Sequence, residues 1–343
     1  MAETPSAIHA DFTFGTNGYF FDDLGHPCVL LGVVEFAEFC HQLDAKFVSP
    51  LGRKLIYAAT DAEERILQQS NLQAGRWFGK RKVMKKLQQR AASMGWGVFH
   101  DRIITNPAHD GLTVGFSLAH HEHVSKRRAH VDWEQISPDM IRLAFAPKDD
   151  VMAAPPEPTD VNWFGSGPNT AVVERLDLEL DIRHSMFFNA EERSVFIPVH
   201  VFHHLFSNLL GRPLSDEQTS TLAINHHAET EHKQALGCII KSAHAAFATS
   251  ERAVYLQSSG DWEGHLQARF VERGLGKITV EQSILDNQSA SVFKVHSPIA
   301  PYACGLLVGM WERAHGQRAV VDVEEERESL RIRMAPPQVN YTD

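Results

Sequence analysis

YFFDDLGHPCVLLGVVEFAEFCHQL (Tyr19–Leu43) and MFFNAEERSVFIPVHVFHHLFSNLL (Met186–Leu210) share one pattern, and that likeness decides how the chain is organised. Phe20 falls on Phe187, a displacement of 167 residues. The same displacement sets Val34 on Val201, Phe39 on Phe206, Leu43 on Leu210, Leu55 on Leu222 and Glu64 on Glu231. Further along, Gly95-Trp96-Gly97 answers Gly274-Leu275-Gly276, each opening a β-like segment that ends FSLA (Phe116–Ala119) or HSPIA (His296–Ala300). The stretches also close alike. VDWE (Val131–Glu134) echoes VDVE (Val321–Glu324), and IRLAFAP (Ile141–Pro147) echoes LRIRMAP (Leu330–Pro336). Matches kept in one order read as a diverged tandem duplication.

Between the copies lies APKDDVMAAPPEPTD (Ala146–Asp160), whose prolines suppress helix and sheet pairing. The expected organisation is a first, degenerate copy over 1–147, a proline-rich linker and lead-in over 148–180, and a second, fuller copy over 181–343. Each copy shows a hairpin-like segment (Val29–Leu31; Val195–Ile197) and an amphipathic helix (Glu35–Leu43; Val199–Leu210). A second helix follows (Arg53–Gln69; Glu217–Phe247), then strands with turn signals at Asn106-Pro107 and Asp286-Asn287. This order predicts an α+β fold, helices covering one face of an antiparallel sheet, with the two copies joined as a pseudo-dimer.

A length of 343 residues accommodates two domains, and 43% hydrophobic with 22% charged residues excludes wholesale disorder. No apolar run approaches the roughly 18 residues of a membrane helix, and the start carries no basic and apolar leader. Cys28, Cys40, Cys238 and Cys304 are scattered without a CxxC, which excludes a disulfide scaffold. A soluble, cytoplasmic protein is expected. The basic stretch Arg76–Arg90 reads as the solvated face of a helix whose apolar side is Trp77, Met84 and Leu87. The net charge of −10 and the lack of a base-reading motif disfavour nucleic acid.

The segment ERGLGKITVEQSILDNQSASVFKVHSPIAPYACGLLVGMWERAHGQRAVVDVEEE (Glu272–Glu326) resembles the 4-vinyl reductase-like, or hydrocarbon-binding, domain family. That family supplies the sensing domain of phenol- and xylene-responsive activators and shares its fold with the TRAPP tethering subunits. Gly305, Gly309 and Gly316 fall on its helix glycines, and Glu324 near its expected acidic residue. Ala300 stands where many members carry the first zinc cysteine, and no cysteine follows Cys304, so the cysteine-type zinc site is expected to be absent. The first copy keeps Glu134 but reads as lacking the glycine helix, with only His120–His130 in its place. The resemblance implies a small-molecule or interaction module, usually dimeric, with a small hydrophobic or aromatic ligand and a protein partner or second copy. It does not decide whether this member is an enzyme.

Twenty histidines are the compositional oddity. Under the 167-residue displacement, Val33, Phe36 and Ala37 answer to His200, His203 and His204, and Ala59 and Thr60 to His226 and His227. If both copies share a backbone, these histidines face inward. His200 and His204 stand at i,i+4 on one helix; His227 with Glu231, and Glu229 with His232, share a face on the next. Such a set (His200, His204, His227, Glu229, Glu231, His232) suits iron, manganese or zinc. Alternatively, His226, His227 and His296 are the polar groups of a mostly apolar ligand pocket in the second copy. A third possibility is exposure, since Phe202, Leu205, Phe206 and Leu209 form the apolar stripe and His200 and His204 point away from it. LAHHEH (Leu118–His123) reads as loop-like, GLGKIT (Gly274–Thr279) as a turn rather than a phosphate loop, and Cys304 as a buried, inert thiol. FGSGP (Phe164–Pro168) is no nucleophile elbow. Three functions stay open: a ligand-binding or sensing accessory protein, a non-haem metal-dependent enzyme, and an assembly protein.

Overall fold

The computed structural model describes residues 12–70, 72, 79–161, 163, 172–175, 178, 180–183, 186–189, 191–215, 222–226, 230–250, 252–283 and 290–337. The first half runs β1 (Thr13–Gly15), β2 (Phe20–Phe21), β3 (Pro27–Gly32), α1 (Val33–Asp44), α2 (Lys54–Gln69), α3 (Gly79–Ser93), β4 (Val98–His100), β5 (Ile103–Thr105), α4 (Asp110–Ser125), β6 (Ala129–Ser137) and β7 (Met140–Pro147). After β8 (Val172–Arg175) come β9 (Asp181–Arg183), β10 (Met186–Asn189), β11 (Glu192–Pro198), α5 (Val199–Ser207), β12 (Ala223–His226), α6 (Thr230–Ala248), α7 (Trp262–Arg269), β13 (Lys277–Gln282), β14 (Ser291–His296), α8 (Ala300–His315), β15 (Val320–Glu326) and β16 (Ser329–Ala335). This is a mixed α+β structure, antiparallel apart from β12, which runs parallel to β15.

Equivalent contacts recur in the two halves. Gly115 of α4 lies against Ile56, Ala59 and Thr60 of α2, and Gly305 of α8 against Ile240, Ala243 and His244 of α6. The Glu122 carboxylate accepts the Ala129 N–H at 2.7 Å, and the Glu312 carboxylate the Ala319 N–H at 2.9 Å. Both helices end on a left-handed residue, Lys126 and Gly316. The turns before β4 and β13 match as well: Trp96 N–H donates to Ala91 C=O and Leu275 N–H to Phe270 C=O. The sheet order β4-β5-β7-β6 recurs as β13-β14-β16-β15, to which β12 is added.

The halves meet in a third sheet, β8-β1-β2-β3-β11-β10-β9. β3 and β11 pair antiparallel at its centre, from Ser194 opposite Gly32 to Pro198 opposite Cys28. Cys28–Leu31 and Val195–Ile197 are almost inaccessible and show no alternation, as expected of strands covered on both faces. Beside this sheet the first helices are exchanged: α1 packs on α6 and α5 on α2. Phe36 and Phe202 meet edge to face at 5.9 Å between the two helices. The linker is not detached. Its Pro155, Val161 and Trp163 are buried, Glu157 pairs with Arg65 of α2, and Arg128 donates to Ala153 C=O.

Several sequence expectations change. FSLA does not end a strand, and LAHHEH is not a loop; both lie inside α4, which occupies the place of α8. The first half therefore keeps the helix that seemed lost, with Gly115 where the second half has Gly305. The 167-residue displacement holds at Phe20 and Phe187 but not beyond the following hairpin. Phe21 pairs Pro27 across five residues and Phe188 pairs Arg193 across four, so α1 and α5 start 166 residues apart, after Gly32 and Pro198. His200, His203 and His204 thus answer to Val34, Ala37 and Glu38, of which Val34 and Ala37 are exposed, not packed. The predicted helix Glu217–Phe247 is β12 followed by α6 from Thr230. Arg76, Trp77, Phe164–Pro168 and Asp286-Asn287 lie outside the described residues.

Candidate functional site

A cavity of about 860 Å³, partly open to solvent, lies where the halves join. Its wall is built from the start of α1, the β10–β11 hairpin, the end of α6 and the α7 region. Helix α7 ends at Arg269, and a short turn carries Arg273 to Gly274, whose left-handed backbone (φ +71°) lets the chain pass against Phe20 and Cys28.

Glu35 anchors this wall. Its carboxylate accepts the Tyr302 hydroxyl at 2.6 Å and both terminal nitrogens of Arg273 at 3.1 Å, and it pairs with Arg252. Burial alone would push its carboxyl up. Arg273, Arg252 and the Tyr302 hydroxyl overcome that and hold it at about 2. Arg273 Nε also donates to Leu30 C=O, and Arg252 pairs with Glu192. Arg269, half-buried in the same wall, makes no hydrogen bond or ion pair among the described residues. The nearby Thr249 and Ser250 hydroxyls donate to the carbonyls of Ala246 and Phe247, and His265 Nε2 lies 3.0 Å from Tyr255 C=O. The wall thus offers fixed charges and, in Arg269, a guanidinium with no partner among the described residues.

The first half holds a closed counterpart. Arg90 of α3 is 3% exposed and donates to Glu63 through Nε (2.9 Å) and Nη2 (3.2 Å). Its Nη1 lies 2.8 Å from Asp22 and 3.0 Å from Asp23. His120 joins Glu63 at 3.1 Å, and the Arg90 guanidinium lies over the Trp96 ring. Glu63 would be pushed up by burial, but Arg90 and His120 hold it at about 2. Arg90 therefore does not belong to the solvated face of its helix, whereas Lys80, Arg81, Lys82, Lys85 and Lys86 do.

The predicted histidine set is only partly brought together. His200 and His203 are ring neighbours at 5.9 Å, and His26 of the first half lies 6.1 Å from His200. His204 is buried, with Arg65, Glu157 and His203 as its charged or titratable neighbours. Glu231 is exposed and lies beside Gly211, and His232 is half-buried on α6. His227 and Glu229 fall outside the described residues. Among those described, no group of three or more His, Cys, Asp or Glu is placed to hold a metal. His226 ends β12, level with Phe293 of β14, and the strand order puts it about 14 Å across the sheet from that strand. His296 lies three residues further along β14. Its surroundings are Lys294, Glu326, Glu328 and Lys277. Cys304 is fully buried and its thiol is pushed up by burial, as its surroundings in α8 suggested. Glu134 and Glu324, the acidic positions of the resemblance, are exposed and face Arg142 and Arg331.

Arg269 escaped the sequence reading. The signal was present, because Gly95-Trp96-Gly97 against Gly274-Leu275-Gly276 sets Arg90 on Arg269.

No family model, curated protein or solved structure matches this chain. Among the described residues, no helix is long and apolar enough to cross a membrane.

Proposed function

We propose that this chain is a non-catalytic small-molecule-binding protein, built from two copies of a 4-vinyl reductase-like fold joined as a pseudo-dimer. It acts in the cytoplasm, where its four unpaired thiols stay reduced. The observation that carries the reading is the cavity of about 860 Å³ between the halves. That volume is within the range of small-molecule sites, and its charged groups are held in place by one another. Repeated elements and contacts in the two halves support the duplicated architecture. The charged wall favours a ligand with polar groups over a pure hydrocarbon.

The test is a small-molecule fragment screen of the full chain by ligand-observed NMR, repeated on Ala268→Trp. Ala268 lines the cavity from the exposed side of α7, so an indole there fills space without disturbing the core. Saturable binders that are lost in the variant are expected. Binders unaffected by Ala268→Trp, or none at all, would overturn the assignment.

A further inference from the structure

Arg90 and Arg269 hold the same position in the two halves. Each lies five residues before a left-handed glycine, Gly95 or Gly274, in turns with matching backbone hydrogen bonds. In the first half the guanidinium is surrounded by three carboxylates: Glu63 side-on, with Asp22 and Asp23 at its end. The second half has lost all three. The helix contacts that set Ala59 on Ala243 and Thr60 on His244 set Glu63 on Phe247. The hairpin that sets Phe20 on Phe187 sets Asp22 on Asn189 and Asp23 on Ala190.

An arginine stripped of its carboxylates would normally reach for water or another acid. Arg269 pairs with no acid among the described residues. The two acids whose charge acts on it, Glu35 and Glu192, are already engaged by Arg252 and Arg273. Glu272 lines the same cavity but is exposed to solvent. Burial and the like charges of Arg252 and Arg273 make the Arg269 proton easier to lose than usual, a tension that an arriving anion relieves. Where Arg90 has protein carboxylates against it, Arg269 lines an open cavity whose wall also carries Asn189.

We propose that the ligand of this cavity bears a carboxylate, and that Arg269 binds it in the place that Glu63, Asp22 and Asp23 take around Arg90. A guanidinium presents a planar fork that a carboxylate matches, as Glu63 already does against Arg90 Nε and Nη2. Val34, Ala246 and Ala253 offer apolar surface to the rest of the molecule. This inference rests on the cavity being the ligand site, and its test separates the two ideas.

Benzoate and hexanoate are titrated into the full chain at low salt, beside benzamide and hexanamide, which keep shape and lose charge. Binding of the acids at least tenfold tighter than the amides is expected. Arg269→Gln should weaken acid binding at least tenfold, while Arg269→Lys, which keeps the charge but not the fork, should fall between. Asn189→Asp restores one internal acid and should also weaken acid binding severalfold, with the amides unaffected. Backbone amide spectra check that each variant is folded. If acids and amides bind alike, or Arg269→Gln binds acids as well as the parent, the carboxylate assignment fails and the ligand site stands. If inorganic phosphate binds at Arg269 and both acids do not, it fails in favour of a phosphate ligand. If no probe binds, both ideas fall.

Discussion

Mild acid should loosen this protein, and the cause is on α5. Burial lowers His204 to about 4, with His203 and Arg65 adding to the effect. Burial likewise lowers His203 to about 4 and, helped by His203 and His26, His200 to about 3. His204 shows why. It is 3% exposed, its Nε2 has no partner among the described residues, and a proton there would meet Arg65. In the unfolded chain a histidine titrates near 6.5. Between about 4 and 6.5 the unfolded chain therefore binds more protons at these histidines than the folded one, against which Asp61, raised by burial to about 6, acts in the opposite sense. Stability is complete above 6.5, falls as the pH drops through this window, and levels off near the folded value. At about 1.4 kcal/mol per pH unit, His204 alone costs roughly 3 kcal/mol across the window. That is a sizeable share of the ~5–15 kcal/mol typical of a folded domain. The assay is urea unfolding, followed by tryptophan fluorescence, from pH 7.5 to 4.5. The midpoint should fall steadily below pH 6.5, and His204→Gln should flatten that fall. A midpoint constant from 6.5 to 4.5, or a variant that tracks the parent, would refute the reasoning.

Gly305→Ala would set a methyl 2.6 Å from Ala243 Cβ and 2.9 Å from the His244 nitrogen, and Gly115→Ala one 2.7 Å from Ala59 Cβ. Each should lower the urea midpoint by the equivalent of ~1–3 kcal/mol, outweighing the gain of about 1 kcal/mol in helix propensity. Gly264→Ala on α7 meets nothing within 4 Å and should be neutral or stabilising in the same titration. Glu35→Gln removes the buried acid between Arg252 and Arg273 and should cost about 3–5 kcal/mol in thermal unfolding. Glu272→Gln, at an exposed position of the same wall, should change stability by no more than about 0.5 kcal/mol.

What the sequence disclosed follows its physical signals. Phe36, Phe39 and Leu43 recur with the spacing of a one-sided helix, and α1 was legible to within two residues at its start and one at its end. Helix α4 was not, because Leu112–His120 is buried throughout. A helix apolar on every side carries no 3.6-residue contrast, so FSLA passed for strand. The repeat was visible in its aromatic and glycine positions. The missing hairpin residue was hidden because Val34 and Val201, or Phe39 and Phe206, match as well out of step as their neighbours do in step. That slip made His200, His203 and His204 look like replacements of packed positions. His204 is nevertheless buried, under a linker that residue spacing alone could not place. The arginine pair was legible only in principle: Arg90 sat in a row of lysines, and the acids that mark it come from α2 and the turn after β2.

The exchange of α1 and α5 leaves the chain without a waist. In two beads on a string, a proteolytic nick at an exposed linker residue such as Val151 would release two globules. Here each fragment would carry a helix seated on the other and a strand from the middle of a common sheet. The fragments would stay clasped, and neither could be purified alone as a native fold. One half can then tolerate changes in sequence that the other offsets, since neither stands by itself in this chain.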